Sequence, residues 1–315
     1  MSFIEIKNLK VHYPIRGGFF NRIVDHVYAV DGVDLMIEKG KTYGLVGESG
    51  SGKSTIGKAI IGLEKIKDGT ITYEGKVIEK RRSRKSDYNQ NIQMIFQDSL
   101  SSLNPKKRII DIIAEPLRNF ENLTDKEESR RVSELLEIVG MTDDALYKYP
   151  HEFSGGQRQR IGVARAVAIK PKLIIADEPV SALDLSVQAQ VLNYMKEIQK
   201  QFGLSYLFIS HDLGVVKHMC DHISIMYRGR FVETGEKADI YNNPQHIYTK
   251  RLIAAIPEVN PNHRESNKLR RLAVEKEYRE NELEYYDENG KVYDLQKLTD
   301  THYAALAHKV KGGEK

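Results

Sequence analysis

One cysteine, Cys220, stands in 315 residues. It cannot form a disulfide within the chain, and no thiolate metal cluster can be built from it. It reads as a small buried hydrophobe in a reducing compartment. Charge of one sign is scarce too. The 48 Lys and Arg against 44 Asp and Glu leave a net +4, which by itself does not argue for nucleic acid as a partner. No stretch comes near the roughly 18 apolar residues that a membrane span needs. The start, Met1-Ser-Phe-Ile-Glu-Ile-Lys7, lacks the basic-then-apolar layout of a secretory signal. The chain is therefore expected to be soluble and cytoplasmic, meeting a membrane only through a partner. No internal repeat is visible. A hydrophobic fraction of 40% beside a charged fraction of 29% suggests an ordinary domain with a charged, partly exposed extension.

The extension is expected after about residue 257, where apolar density falls and charged, tyrosine-rich sequence takes over. Within it, Asp287-Glu-Asn-Gly290 is a hairpin candidate, because Asn-Gly favours a tight turn. The tail over 258–315 reads as a small appended module, or as partly disordered sequence. Upstream, short apolar runs predict strands at Phe3–Lys7, Val33–Ile37, Thr42–Val46, Gly69–Gly75 and Asn91–Phe96. From about 99 to 162 the spacing turns helical, notably at Ile109–Ile113 and Val132–Val139, which predicts a helical insertion. Leu173-Ile-Ile-Ala176 and Ser205–Ser210 are uninterrupted apolar runs of the kind that form central parallel strands. Strands alternating with helices predict a doubly wound α/β core over 1–257.

The most specific pattern is Gly47-Glu48-Ser49-Gly50-Ser51-Gly52-Lys53-Ser54-Thr55, a phosphate-binding P-loop between an apolar strand and a helix. Glycines let several backbone N–H groups point at one anion, and the helix dipole adds to the attraction. Lys53 supplies a mobile charge for the β and γ phosphates, and the Ser54 hydroxyl can ligate Mg²⁺. Downstream, Asp177 ends a buried strand, where an acid can hold Mg²⁺ through water. Glu178 follows and could act as general base toward a water. Read alone, the pair could be a solvated acidic turn before Pro179. A third pattern, Ser154-Gly155-Gly156-Gln157, has a helix N-cap and two glycines that free the backbone. It is a second anion-binding helix start in one chain, or in isolation a simple capped helix. One nucleotide does not need two such starts, and a dimer in which one chain completes the other's nucleotide would use both.

Together these residues resemble the nucleotide-binding subunit of an ABC transporter over nearly all of 1–257. The resemblance implies a P-loop NTPase (RecA-like) core with an antiparallel β subdomain and a helical subdomain insertion. Ser154–Gln157 is similar to the ABC signature. Gln97 matches the Q-loop glutamine that touches Mg²⁺ or water, Ser181-Ala-Leu-Asp184 the D-loop, and His211 the switch histidine that would hold the γ-phosphate. An aromatic should stack on adenine; Tyr13 is the choice, with Phe19, Phe20 and Tyr28 as rivals, because an insertion from Pro14 to Val27 loosens the match there.

The stretches Gln97–Pro105, Tyr149–Gln157 and Ala176–Asp184 narrow the resemblance to ATPases of oligopeptide and dipeptide importers, as does Asn243-Pro-Gln-His-Ile-Tyr-Thr249. Ser99 and Ile247 stand where proline is usual. The cysteine-ligated iron–sulfur cluster of some members cannot form with Cys220 alone. The resemblance implies ATP and Mg²⁺ as cofactors and a peripheral place on the cytoplasmic face of the membrane. It also implies a second, similar but different ATPase subunit, two membrane permeases and, indirectly, an extracytoplasmic binding protein. A soluble ABC ATPase acting on nucleic acid or ribosomes, an importer of nickel or another small solute, and a non-enzymatic nucleotide-binding regulator are the rival readings. The charged run Glu79–Lys85 reads as a solvated loop, or as a contact for lipid headgroups or an acidic partner.

Overall fold

Alternating apolar side chains near the start build β1 (Ser2–Gly17) and β2 (Arg22–Glu38), one long antiparallel hairpin. The computed structural model describes residues 2–18, 20–78, 86–98, 102–257 and 264–308. Phe19, Ser99 and the charged run 79–85 lie outside them. The expected insertion Pro14–Val27 forms the far half of this hairpin. Tyr13 pairs with Val27, Pro14 with His26 and Ile15 with Asp25, sustained by β-branched Ile15, Ile23, Val24 and Val27. In the near half Ile4, Ile6, Leu9 and Val11 are buried. Their spacing slips by one residue between Ile6 and Leu9. A register shift there, with Asn8 at φ +49°, absorbs the extra residue and keeps both apolar pairs inside. β4 (Asp68–Tyr73) and β5 (Lys76–Val77) complete a four-stranded antiparallel sheet, ordered β2-β1-β4-β5.

The main sheet holds β3 (Thr42–Val46), β6 (Ile92–Ile95), β7 (Leu173–Asp177), β8 (Ser205–Ser210), β9 (His222–Tyr227) and β10 (Arg230–Glu236). Strands β9, β3, β8, β7 and β6 run parallel in that order, and β10 is antiparallel beyond β9. Every residue of β3, β7 and β8 is buried, as uninterrupted apolar runs require of strands covered on both faces. The covering helices include α1 (Lys53–Ile60), α6 (Leu185–Phe202) and α7 (Leu213–Met219). Gly44 in β3 lets Cys220 approach: a Cβ there would stand 2.9 Å from the Cys220 sulfur. The cysteine is free and fully buried, as its isolation in the sequence suggests.

The short α2 (Asp87–Asn91) leads into β6. The helical region then supplies α3 (Ile109–Phe120), α4 (Asp125–Ile138) and α5 (Gly155–Val167). A reciprocal Thr124–Glu127 capping box starts α4. Ile112, Leu117, Val132 and Leu136 join the core that continues under the sheet, each burial worth about 1.5–3 kcal/mol.

Beyond β10 come α8 (Lys237–Asn242), α9 (Ile247–Ala254) and α10 (Arg264–Asn281), then β11 (Gln296–Lys297) and β12 (Tyr303–Ala304). The tail does not stand apart as a module. β12 pairs with β10 and extends the main sheet, and Tyr278, Tyr286, Val292 and Ala305 enter its core. The Glu233 carboxylate, fully buried in β10, accepts from His302 Nε2 at 2.7 Å and from the N–H groups of Gln245 (2.7 Å) and His246 (2.9 Å). The turn expected at Asp287–Gly290 forms, with Gly290 at φ +73° and Asp287 Oδ1 accepting the N–H groups of Asn289 and Lys291. Its arms stop at one bridge, Tyr286–Val292, because a 3₁₀ turn at Glu282–Tyr285 occupies the first arm.

Candidate active site

Parallel pairing brings distant residues to one edge of the main sheet. Val46 at the end of β3 is level with Ser210 of β8, Asp177 of β7 with Ile209, and Ala176 with Ile95 of β6. The P-loop after β3, Asp177 and Glu178, His211 and Gln97 therefore all leave the C-terminal ends of adjacent strands. Strand β3 lies between β8 and β9, the switch point where open α/β sheets bind ligands.

The loop is pressed between backbones. A Cβ at Gly47 would lie 2.1 Å from the Met226 carbonyl oxygen, and one at Gly52, which has φ +108°, 2.0 Å from that of Ala29. Only glycine fits either place. Gly52 is the N-cap of α1 and no side chain caps that helix, so its first N–H groups are left for an anion. Lys53 is almost fully buried and donates to the carbonyls of Gly47 at 2.8 Å and Glu48 at 2.7 Å. Burial lowers its pKa, opposed by the charges of Glu178, Asp177 and Glu48.

Ser54 Oγ donates to Asp177 Oδ1 at 2.7 Å. Burial raises the Asp177 pKa, and only part of that is offset by Ser54. A buried carboxylate whose charge is so poorly compensated fits a divalent cation. The Ser54 hydroxyl, the carboxylate and the Gln97 amide oxygen are hard oxygen donors of the type Mg²⁺ takes. Among the described residues no group of three His, Cys, Asp or Glu could hold a metal unaided.

Glu178 is held at both oxygens. Gln97 Nε2 donates to Oε2 at 2.9 Å, and His211 Nδ1 lies 3.2 Å from Oε1. Its backbone is at φ +46°, unusual for a side chain that is not glycine, and its N–H is tied to the Ile209 carbonyl at 2.9 Å. A cavity of about 560 Å³ is lined by Gly47–Gly50, Gly52–Thr55, Gln97, Glu178 and His211, together with Ala29 and Leu252.

Tyr13 is not among the walls of this cavity, although its hydroxyl reaches Thr55 and Glu64, and burial raises its pKa. Of its rivals, Tyr28 packs edge-on against His12 and Phe20 is exposed at the hairpin end. Ser154–Gln157 and Asp184 also lie outside the cavity. Ser154 caps α5 in a reciprocal box with Gln157 (3.3 and 2.9 Å), and Asp184 Oδ1 caps α6 through the N–H of Val187. The two helix starts touch: a Cβ at Gly156 would stand 2.2 Å from Val187 Cγ1, and one at Gly155 3.6 Å from Leu183. Sequence reasoning missed Ala29, Leu252 and Tyr248. The Tyr248 hydroxyl accepts the Glu48 N–H at 3.1 Å, across 200 residues. The stretch Asn243–Thr249 was a usable signal, but nothing in it points to the P-loop.

The sequence and the fold are both similar to those of known proteins. The sequence profile of ABC transporters matches residues 30–181, and that of the oligopeptide/dipeptide transporter C-terminal region matches 232–293, beginning inside β10. The oligopeptide transport ATP-binding protein OppF of Lactococcus lactis is 58% identical over 314 residues, covering 99% of this chain and 98% of that protein. The Bacillus subtilis OppF is 51% identical over 273 residues, with coverages of 85% and 87%. Two solved structures share the fold at 24% identity. One is cbiO1 of Clostridium perfringens, part of the ABC transporter complex cbiONQ, with a TM-score of 0.66 over 80% of this chain and 95% of that one. The other is the dimeric bacterial ABC transporter cassette MJ0796, with 0.64 over 74% and 98%. The chain belongs to the ABC transporter family, as an ATP-binding and ATP-hydrolysing subunit of an oligopeptide importer.

Proposed function

We propose that two cassettes close around two MgATP, each nucleotide held by one subunit's Gly47–Thr55 loop and the other's Ser154–Gln157 helix start. The observation that carries this is the division of the anion-binding groups. The P-loop cavity is walled by Gln97, Glu178 and His211, while Ser154–Gln157 lie outside it on the same chain. A phosphate in the cavity gains its second helix start from another molecule.

In this reading Lys53 and the amides at the start of α1 bind the phosphates. Glu178 receives the proton of the attacking water, turned toward it by Gln97 and His211, and His211 holds the γ-phosphate. Ser154 and the glycine amides of the partner stabilise the charge that develops on transfer. Ser54, Asp177 and Gln97 would hold Mg²⁺, which neutralises charge on the phosphate oxygens. The partner cassette is a similar but different chain. A groove of about 830 Å³, bounded by Phe96–Asp98 on one side and by Glu115, Phe120 and Arg165 on the other, seats a permease segment. In this reading the subunit lies on the cytoplasmic face of the membrane under two permeases, fed by an extracytoplasmic binding protein.

Glu178→Gln tests the assignment in the assembled transporter. ATP binding should persist while turnover falls about 100-fold or more; near-normal hydrolysis would sink it. Affinity purification of the tagged subunit should bring multi-span membrane proteins with it. Recovery of ribosomes or DNA in their place would favour the soluble rival.

A further inference from the structure

The peptide unit joining Gly47 and Glu48 is gripped at both ends. Its carbonyl oxygen, on Gly47, accepts from the Lys53 ammonium at 2.8 Å, and its N–H, on Glu48, donates to the Tyr248 hydroxyl at 3.1 Å. The peptide between Gly47 and Glu48 turns about the Gly47 ψ and the Glu48 φ, and Gly47, with no Cβ, offers the first of these rotations little steric resistance. If this one turned, the Gly47 oxygen would leave Lys53 and the ammonium would lose one of the two carbonyls that aim it. Lys53 alone does not prevent this, since its side chain is long and rotatable.

Tyr248 is suited to be the fixed end. Its side chain is fully buried and its ring packs on Tyr227 at 4.6 Å. Tyr227 packs in turn on Tyr286 of the tail at 5.7 Å. One turn further along α9, Arg251 lies 4.5 Å over the Tyr278 ring and pairs with Glu275 of α10 at 3.0 Å. Leu252, beside it, forms part of the cavity wall. The tail also grips the opposite wall: Lys291 pairs at 2.7 Å with Asp31, two residues from Ala29.

We propose that Tyr248 is a positioning residue for ATP, holding the Gly47–Glu48 peptide so that Lys53 points at phosphate. Through it the C-terminal segment is a working part of the nucleotide site. The inference rests on the reading of Gly47–Thr55 as the phosphate site.

The test uses the full chain and titrates MgATP into wild type, Tyr248→Phe, Tyr206→Phe and Lys53→Ala. Tyr206→Phe is the control: it removes a buried tyrosine hydroxyl, which donates to the Met195 carbonyl at 3.1 Å, and does not touch the loop. Tyr248→Phe should weaken ATP binding about threefold to tenfold, the worth of one ordinary hydrogen bond, while Tyr206→Phe leaves it unchanged. Hydrogen exchange of the Ile247–Ala254 amides should slow on adding MgATP in wild type and not in Tyr248→Phe. Equal affinity in wild type and Tyr248→Phe, or an equal loss in both tyrosine variants, overturns the proposal. Lys53→Ala separates the two layers. If it abolishes binding while Tyr248→Phe does nothing, the phosphate site stands and this inference falls. If Lys53→Ala binds normally, the site assignment itself falls.

Discussion

Acid should loosen this protein through His246. The ring is fully buried. Its Nδ1 caps α9 by accepting the Tyr248 N–H at 3.1 Å, and the ring meets Tyr285 edge-on at 4.7 Å. With Nδ1 accepting, the proton sits on Nε2, which has no hydrogen-bond partner among the described residues. A second proton on Nδ1 would break the cap and leave a buried cation whose Nε2–H has no hydrogen-bond partner among the described residues. Burial first, and the Lys250 charge second, bring its pKa from 6.5 down to about 3. The sign follows. As pH falls the unfolded chain takes the proton before the folded one, so the stability held by neutral His246 is complete above pH 6.5 and drains away toward pH 3. At about 1.4 kcal/mol per unit inside that window, the loss between pH 7 and pH 5 is about 2 kcal/mol. His246→Asn keeps an N-cap acceptor and removes the titration. Urea denaturation of both proteins at the two pH values measures the effect. The variant starts less stable, because it packs less well, and the gap should narrow by about 2 kcal/mol at pH 5. A gap that does not change with pH would refute the reasoning.

Three further outcomes follow from named contacts. Glu233→Gln leaves an amide N–H₂ facing one of the three donors that converge on that side chain. It should cost about 3 kcal/mol, read as a fall in Tm of roughly 5–10 °C; an unchanged Tm would show that the tail is not anchored there. Gly156→Ala drives a methyl into Val187 and should cut hydrolysis by the assembled transporter about tenfold while the single chain still binds ATP. Overpacking of about 1–3 kcal/mol is the cause, so Val187→Ala should restore activity, and a failure of that rescue rejects the steric account. Cys220 is fully buried and burial raises its thiol pKa. Iodoacetamide should therefore label it only in denaturant, and fast labelling of the native protein contradicts the packing described.

Where chemistry demands a residue type at short spacing, the sequence was legible. Gly47–Thr55 and Asp177–Glu178 need no tertiary knowledge, because each is a local arrangement of glycine, base, hydroxyl or acid at a strand end. The parallel core was legible for a related reason: β3, β7 and β8 are buried on both faces and so read as unbroken apolar runs. The far half of the β1–β2 hairpin was not, since Ile15, Ile23, Val24 and Val27 are exposed and no burial alternation marks them as strand. The tail misled for the opposite reason. Its charged composition suggests independence, whereas a few residues, His302, Tyr286 and Ala305, carry its attachment to the sheet.

What no local pattern could show is how the loop and the Glu178 carboxylate are held. Glu178 sits at a positive φ, steadied by Ile209, Gln97 and His211. The Gly47–Glu48 peptide is steadied by Tyr248 from the other end of the sequence. Both follow from one physical requirement. A loop must be glycine-rich to wrap a phosphate, and a carboxylate must be turned out of the strand to reach water. Each is then conformationally loose or strained, and the restraint has to come from outside the motif. Such partners lie on whichever elements the sheet order brings alongside. Here these are β6, β8 and α9, so the motif names the chemistry while the topology selects the residues that hold it in place.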